Sequence, residues 1–293
     1  MRIAVTGGTG FVGSHLVRAL VEDGHEVTVL ARGSARKPRR KDIKFVHADL
    51  NNSPPLVRTF TGCDAVIHLV AVIREKGNQT FDRVNRDAAE RVADAARQAR
   101  VGHLLHQSAI GVDPDPRYPY LASKWGGEQA IRGSGVPYTV LRPSVIFGPG
   151  DGFFTVLTKL IRLNPVVPIA GDGKALFQPM FINDVVDCYR IALERGPSNS
   201  AYEIGGPEHM TYEDIVLTIK NGLGMHRFVV HVPVRAMLPP VFLMERLLRK
   251  PPVTIGQLRL LEKNNITMLN AVPKHFGFQP ERFVDNVEYL EDY

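Results

Sequence analysis

The chain has 293 residues, of which 44% are hydrophobic and 23% are charged, a composition typical of globular proteins. Its cysteines are Cys63 and Cys188, so the sequence predicts neither a disulfide framework nor a metal site, and we expect a reducing, cytoplasmic environment. No apolar run approaches the roughly 18 residues that a membrane span needs, and the first predicted strand begins at Arg2, so we expect no signal peptide.

The N-terminal segment 3–13 combines a predicted buried strand, a glycine turn and the start of a helix. Its glycine spacing allows a tight turn, close approach of the backbone to a pyrophosphate, and close packing of helix on strand. The helix would direct unpaired N–H groups and the positive end of its dipole toward such a ligand. A plain tight turn is the alternative. The predicted dinucleotide site comprises Gly7, Thr9, Gly10, Phe11, Val12 and Gly13.

Predicted strands and helices alternate through the first half of the chain. An apolar stripe predicts a long helix over about 80–100, and a later helix begins near Tyr120. The further strands are predicted over 26–30, 43–47, 64–70, 102–106 and 136–141. This alternation predicts parallel βαβ units and an α/β fold with a doubly wound parallel Rossmann sheet, whose ligands bind beyond the carboxyl ends of the strands.

The pattern changes after Phe147, where glycine and proline interrupt the chain repeatedly. Residues 201–204 predict a seventh strand, and the following residues predict short helices with one extended stretch at 228–232. The predicted dinucleotide-binding Rossmann domain comprises 1–147 plus about 177–206. The predicted smaller, mostly helical substrate-capping domain comprises about 148–176 plus 207–293.

The end of the second strand bears on the type of cofactor. In NAD-binding folds a carboxylate at this point hydrogen-bonds the adenosine ribose 2′-hydroxyl. Here Arg32 follows the strand, and an arginine grips a 2′-phosphate that a carboxylate would repel. The sequence therefore predicts NADP(H) in preference to NAD(H), with Ser34 and Arg36 as helpers and stacking of Arg32 on the adenine as the alternative. Asp49, followed by Leu50, would meet the adenine edge or cap a turn or helix.

Much of the net charge of +6 lies in one basic segment, residues 32–41. A solvated loop is the plain interpretation, and a site for an extra phosphate on the cofactor is the functional one. Single-stranded nucleic acids usually stack on aromatic side chains, and this segment has none between its basic residues. We therefore expect no nucleic acid partner.

A tyrosine and a lysine indicate chemistry in the helix that begins near Tyr120. Four residues apart, Tyr120 and Lys124 share one helix face. A cation beside a phenol stabilises the phenolate, so we expect the pKa of Tyr120 to fall from about 10 toward the working pH. Such a phenol exchanges a proton with a carbonyl or alcohol oxygen, which Ser108, just past the fifth strand, would polarise. A chance occurrence of the spacing is the alternative.

Several motifs together resemble the extended or atypical short-chain dehydrogenases/reductases, which are NAD-dependent epimerase/dehydratase-like, over nearly the whole chain. The motifs are TGGTGFVG at 6–13, Asp49-Leu50, HLVA at 68–71, Asn85, Ser108, YLASK at 120–124 and LRPSVIFGPG at 141–150. The resemblance implies an NAD(P)-dependent oxidoreductase or epimerase. Its substrate would be a carbonyl or alcohol of a small organic or nucleotide-sugar-like molecule. Its catalytic residues would be Ser108, Tyr120 and Lys124.

The resemblance also implies further contacts with the cofactor. Lys124 would hold the nicotinamide ribose hydroxyls. Pro143, after the sixth strand, would flank the nicotinamide or simply terminate the strand. Asn85 would anchor a helix or a water near the site. The remaining residues expected at the cofactor are Leu69, Val70 and Ala71.

The C-terminal part resembles one branch of this group. YEIGGPE at 202–208, MTY at 210–212 and the segment 251–265 are similar to the NADPH-binding accessory subunit of respiratory complex I and its bacterial relatives. That branch includes members that bind NADPH without a known substrate. Ser108 stands alone where many extended members have two or three serines, and the loop from Ser108 to Tyr120 is short. Two functions therefore stay open, an enzyme and a non-catalytic NADPH-binding accessory, assembly or redox-sensing protein.

The segment 235–250 is apolar with basic ends and is interrupted by Pro239 and Pro240. Such a segment can contact a membrane surface or a protein complex, or cover an apolar substrate. Packing within the core of the small domain is the alternative interpretation.

Overall fold

The computed structural model describes residues 1–32, 43–50, 53–248 and 251–293. They form two compact units, and each unit draws on two stretches of the chain. The first unit comprises Met1–Pro143 and Ile182–Glu203, and the second comprises Ser144–Phe181 and Ile204–Tyr293. That the second unit caps a substrate stays a prediction.

A parallel sheet lies at the centre of the first unit. Its strands in the described part of the chain are β1 Arg2–Thr6, β2 Glu26–Ala31, β3 Ile43–His47, β4 Ala65–His68, β5 His103–Gln107, β6 Tyr138–Pro143 and β11 Ser200–Ile204. The strand order is β11-β6-β5-β4-β1-β2-β3, and every resolved register is parallel. The order reverses between β1 and β4, where doubly wound sheets open a crevice for a ligand. The predicted α/β fold is confirmed.

The helices of the first unit cover this sheet because their apolar stripes need burial. They are α1 Phe11–Glu22, α2 Ser53–Phe60, α3 Asp87–Gln98, α4 Pro119–Gly133 and α6 Ile182–Arg195. On α1, Val12, Leu16 and Leu20 are buried at helical spacing. Alanines of α3 pack in a buried core cluster that includes Val66 of β4 and Leu104 of β5.

Two elements of the first unit differ from the prediction. The helix predicted over about 80–100 begins as a π-helix, Asp82–Arg86, and continues as α3. The strand predicted over 64–70 ends at His68. A Cβ atom on Gly7 would lie 3.0 Å from backbone atoms of Leu69 and Val70, so the chain after β4 passes close to the glycine turn.

The second unit combines short helices with paired short strands. The pairs are β7 Ile146–Phe147 with β10 Met180–Phe181, β8 Val166–Ala170 with β13 Phe228–Val232, and β9 Leu176–Phe177 with β12 Met210–Thr211. The helices are α5 Phe154–Leu163, α7 Tyr212–Gly222, α8 Val234–Leu247, α9 Ile255–Leu260 and α10 Ala271–Phe276, followed by 3₁₀ turns at Val284–Asn286 and Glu288–Asp292. Phe147, Phe154 and Phe283 pack ring to ring in its core.

In the ranges given above, no helix has both the length and the apolar character that crossing a membrane requires.

Candidate active site

The glycine turn joins β1 to α1 and leaves the N-terminus of α1 open. Gly7 has a φ of +80°, a conformation that favours glycine. A Cβ atom on Gly13 would lie 2.2 Å from the Gly7 carbonyl oxygen, so glycine lets α1 pack this close to the turn. Gly10 is the N-cap residue, no described side chain caps the helix, and its first turn has no acidic residue. The uncapped N–H groups of this first turn can therefore bind an anion such as a pyrophosphate.

The residues predicted at the adenosine end follow β2 and β3. Arg32 and Asp49 are exposed. Leu50 is buried in the core, and its carbonyl oxygen accepts a 2.9 Å hydrogen bond from Arg91. The predicted helpers of Arg32, residues 34 and 36, lie outside the described residues. Among the described members of this set, Arg32 and Asp49 present side chains to solvent, and their contact with a cofactor stays a prediction.

The residues predicted near the nicotinamide end follow β4 and β6. Leu69 and Val70 are half-buried and Ala71 is exposed. Pro143 is buried, and its carbonyl oxygen accepts a 3.1 Å hydrogen bond from the Ile110 amide. Pro143, the last residue of β6, is therefore hydrogen-bonded to the segment that follows β5. Its role beside a nicotinamide stays a prediction.

Asn85 ties the loop after β4 to α4. Its Oδ1 accepts a 2.8 Å hydrogen bond from the Val72 amide, and its Nδ2 donates to the Val72 carbonyl and to Ser123 Oγ, each at 3.0 Å. A Cβ atom on Gly127 would lie 2.3 Å from the Asn85 carbonyl oxygen, so Gly127 lets α4 approach the π-helix. Both polar atoms of the amide are engaged, which favours the anchoring interpretation over a cofactor contact.

The first turns of α4 place Tyr120 and Lys124 on one helix face. Lys124 is buried, and its ammonium donates a hydrogen bond to the carbonyl oxygen of Gln107, the last residue of β5. Ser108 follows Gln107 directly and is also buried. Burial lowers the pKa of Lys124 to about 8, although the nearby Glu128 carboxylate opposes this shift. The structure therefore brings the three predicted catalytic residues to the end of β5 and the start of α4.

The predicted lowering of the Tyr120 pKa is wrong. Burial raises this pKa to about 12. The ring contacts Phe81 edge to face, with 6.0 Å between centroids. Among the described contacts, neither Lys124 nor Ser108 hydrogen-bonds the phenol, because the ammonium is directed at the Gln107 carbonyl instead. Tyr120 is therefore held in its protonated form at neutral pH.

Sequence reasoning missed a buried ion pair between α4 and β6. Arg142 donates two hydrogen bonds, of 2.9 and 2.7 Å, to the carboxylate of the fully buried Glu128, and Arg132 lies 3.0 Å from it. Burial acts to raise the pKa of Glu128, but the hydrogen bonds and the charge of Arg142 lower it overall. The sequence offers one indication of a buried carboxylate here. Glu128 follows Lys124 by four residues, so the two share one face of α4.

A row of buried polar residues across three strands was also missed. Thr6, His68 and His106 occupy matching positions on β1, β4 and β5. Thr6 Oγ1 lies 2.7 Å from His68 Nδ1, and the two imidazole rings stack with 5.3 Å between centroids. Burial and the charge of Lys124 lower the pKa of His68 to about 3 and that of His106 in the same direction. Both rings are therefore neutral at neutral pH.

The sequence pattern of the NAD dependent epimerase/dehydratase family matches residues 3–205. The chain belongs to this family. This membership confirms the family resemblance that the motifs predicted. It also confirms the predicted NAD-binding Rossmann fold. A solved structure of UDP-glucuronic acid 4-epimerase from Bacillus cereus, in complex with NAD, gives a TM-score of 0.79 at 20% identity over 100% of this chain and 98% of that chain. That likeness shows a shared fold.

Relatives of this family member include reductases and a respiratory subunit. Ceramide reductase of Caulobacter vibrioides is 37% identical over 57% of this chain and 53% of its own length, so the chain spans about half of that relative. The 4-hydroxy-2-methyl-3-oxo-4-farnesyl-3,4-dihydroquinoline-1-oxide ketoreductase of Stigmatella aurantiaca is 28% identical over 89% of this chain and 85% of that protein. The NADH-ubiquinone oxidoreductase 40 kDa subunit of Neurospora crassa is 24% identical over 99% of this chain and 78% of that protein. This similarity confirms the resemblance to the complex I branch.

The residues at the site fit the dinucleotide that the family name implies. The close-packed glycines and the uncapped N-terminus of α1 can take a pyrophosphate through backbone N–H groups. Lys124 offers a buried cation with donors beyond its bond to Gln107. Nothing acidic in the first turn of α1 would repel the phosphates.

We expect Glu128→Gln to destabilise the fold by about 3 kcal/mol at pH 7, because it removes the buried carboxylate that accepts two hydrogen bonds from Arg142 and leaves that arginine with Glu203, 3.7 Å away. The pKa of Glu128 is lowered below its usual 4.5 in the folded state. The ionised carboxylate therefore stabilises the protein above that pH, and this contribution is lost as pH falls through the folded pKa. Urea titrations of the wild type and the variant should show free energies of unfolding that converge in acid.

The matched control is Glu90→Gln, a change to an exposed carboxylate on α3. We expect it to alter the free energy of unfolding by less than about 0.5 kcal/mol. Equal destabilisation by the two substitutions at pH 7 would contradict the role given to the buried ion pair.

Proposed function

We propose that this protein is an NADP(H)-dependent oxidoreductase that interconverts a carbonyl and an alcohol on a small organic substrate. The observation that carries the proposal is the position of Lys124. Its buried ammonium is bonded at the end of β5, next to Ser108, on the helix face that carries Tyr120. The ceramide reductase and ketoreductase relatives support this class of reaction. The ceramide and farnesyl groups in their names favour a substrate with an apolar chain.

When bound, the reduced cofactor supplies a hydride to the carbonyl carbon. The Ser108 hydroxyl donates a hydrogen bond to the carbonyl oxygen and polarises the C=O bond. Tyr120 gives its phenolic proton to that oxygen, so that carbonyl, hydride and proton together yield the alcohol. Burial keeps Tyr120 protonated, which is the form that the reduction requires.

Lys124 serves the cofactor. Its remaining donors would hold the nicotinamide ribose hydroxyls. The neutral rings of His68 and His106 add no competing positive charge beside it. The Glu128–Arg142 pair fixes the part of α4 that follows Lys124.

The preference for NADP(H) rests on Arg32. It is exposed directly after β2, where NAD-binding folds place an acidic residue. A cytoplasmic location is supported by Cys63 and Cys188, which are free thiols. A contact of the segment 235–250 with a membrane surface or a protein complex also belongs to this proposal.

We expect Arg32→Ala to weaken NADPH binding about tenfold or more and to leave NADH binding nearly unchanged, since only NADPH carries the 2′-phosphate that the guanidinium would hold. Isothermal titration calorimetry with both nucleotides measures this. Arg58→Ala, an exposed arginine on α2, is the matched control and should change neither affinity. Tighter binding of NADH than NADPH by the wild type, or an equal loss for both nucleotides, would remove the claim.

We expect Tyr120→Phe to lower turnover by about 10²–10⁴-fold while leaving the Kd for NADPH within about twofold, because the substitution removes the proton donor alone. The assay follows loss of NADPH absorbance with a panel of ketones and β-keto esters of increasing alkyl length. Tyr118→Phe, at the N-cap of the same helix, is the control and should retain turnover. An unaffected rate in the Tyr120 variant would overturn the assignment.

A second function, a non-catalytic NADPH-binding accessory or assembly protein, is favoured by the similarity to the respiratory 40 kDa subunit over 99% of this chain. Such a protein would retain NADPH through purification. It would oxidise NADPH with no member of the ketone panel, and Tyr120→Phe would have no effect on it. These results together would replace the enzyme with the binding protein.

A further inference from the structure

Helix α8 has apolar side chains both on the side that packs against its own unit and on its exposed side. One stripe faces the core, with Val234 and Val241 buried and Met237, Leu238 and Met244 packed against the same cluster. This stripe accounts for the stability of the helix. On a surface helix, the opposite side is normally polar.

The opposite side of α8 is instead exposed and apolar. The exposed fractions are 55% for Phe242, 55% for Leu243, 70% for Leu247 and 48% for Leu248, which follows the helix directly. Phe242 and Leu243 are adjacent, and Leu247 lies one turn beyond Leu243 on the same face. Side chains that cluster in this way mark an interaction surface, whereas single exposed apolar residues need no explanation.

The exposed charged side chains of α8 are basic. Within Val234–Leu247 the charged residues are Arg235, Arg246 and Glu245. Arg235 and Arg246 are exposed at the two ends of α8, while Glu245 is half-buried. An exposed apolar stripe with cations at its ends complements an anionic layer that covers a hydrocarbon interior.

The length and the prolines of α8 indicate how it would meet such a layer. Its 14 residues span about 21 Å, less than the 30 Å of a bilayer core, so it would lie along the surface. Pro239 and Pro240 lack the N–H groups that would bond the carbonyls of Arg235 and Ala236. Both of those residues are exposed, so their carbonyl oxygens need water or headgroup donors. The headgroup region supplies both.

We propose that α8 docks this protein on an anionic phospholipid surface, with Phe242, Leu243 and Leu247 inserted at the boundary between headgroups and acyl chains. Arg235 and Arg246 would bind the lipid phosphates. A second copy of this chain fits the face less well, because two such helices in contact would bring their like charges together in a protein of net charge +6. The proposal does not depend on the proposed reaction.

The test is sedimentation of the full-length protein with vesicles of phosphatidylcholine alone or mixed with phosphatidylglycerol. We expect binding to the mixed vesicles only, and its loss at about 1 M salt, where the Debye length is about 3 Å. The double variant Phe242→Ser with Leu243→Ser should bind at least tenfold more weakly. Arg235→Glu should bind at least fivefold more weakly.

The matched control is Phe228→Ser on β13, a ring that is 78% exposed but lies outside α8, and it should bind like the wild type. Urea unfolding of each variant shows that it is folded. Equal binding to both vesicle types, unchanged binding by the double variant, or an equal loss in the control would overturn the proposal. A wild-type dimer that the double variant converts to a monomer, with no vesicle binding, would assign the face to a second copy instead.

Discussion

The candidate site depends on the hydrogen bond that the buried ammonium of Lys124 donates to the Gln107 carbonyl. A charge inside a folded protein is costly unless hydrogen-bond partners replace water. The Gln107 carbonyl is such a partner, and it belongs to the last residue of β5. The bond therefore ties the start of α4 to the end of a central strand. Because Ser108 follows Gln107 and Tyr120 precedes Lys124 by one turn, the same bond fixes the spacing of the three residues that would act on a substrate.

Other interactions hold α4 so that this bond can form. The Asn85 amide joins the loop after β4 to Ser123, and Gly127 removes the Cβ atom that would push the helix away. Further along, Glu128 and Arg142 join α4 to β6. These contacts are buried and polar, and such groups must be satisfied together or they destabilise the fold. The helix is thus fixed over the sheet by polar contacts as well as by apolar packing.

The sequence predicted the features that depend on local chemistry. The spacing of Gly7, Gly10 and Gly13 between an apolar run and a periodic helix specifies a strand, a turn and a helix N-terminus whatever the rest of the chain does. The short apolar run that became β4 predicts a buried strand. Each of these signals lies within a few residues of the feature it predicts, so folding does not change its meaning.

The features that the sequence could not predict depend on partners far along the chain. The pKa of Tyr120 depends on whether Lys124 faces the phenol or the Gln107 carbonyl, and helical spacing does not decide that. The pairing of His68 with His106 follows from strand register. For α8, composition revealed an apolar segment with basic ends but not that Phe242 and Leu243 are left uncovered.

In the proposed function, the glycine turn before α1 and Lys124 bind one dinucleotide together. Isothermal titration calorimetry of NADPH with the wild type and Lys124→Met tests this most directly, with urea unfolding as the check on folding. We expect the variant to fold and to bind NADPH at least about tenfold more weakly, the loss expected for a charged hydrogen-bond donor. A folded variant with the affinity of the wild type would contradict it.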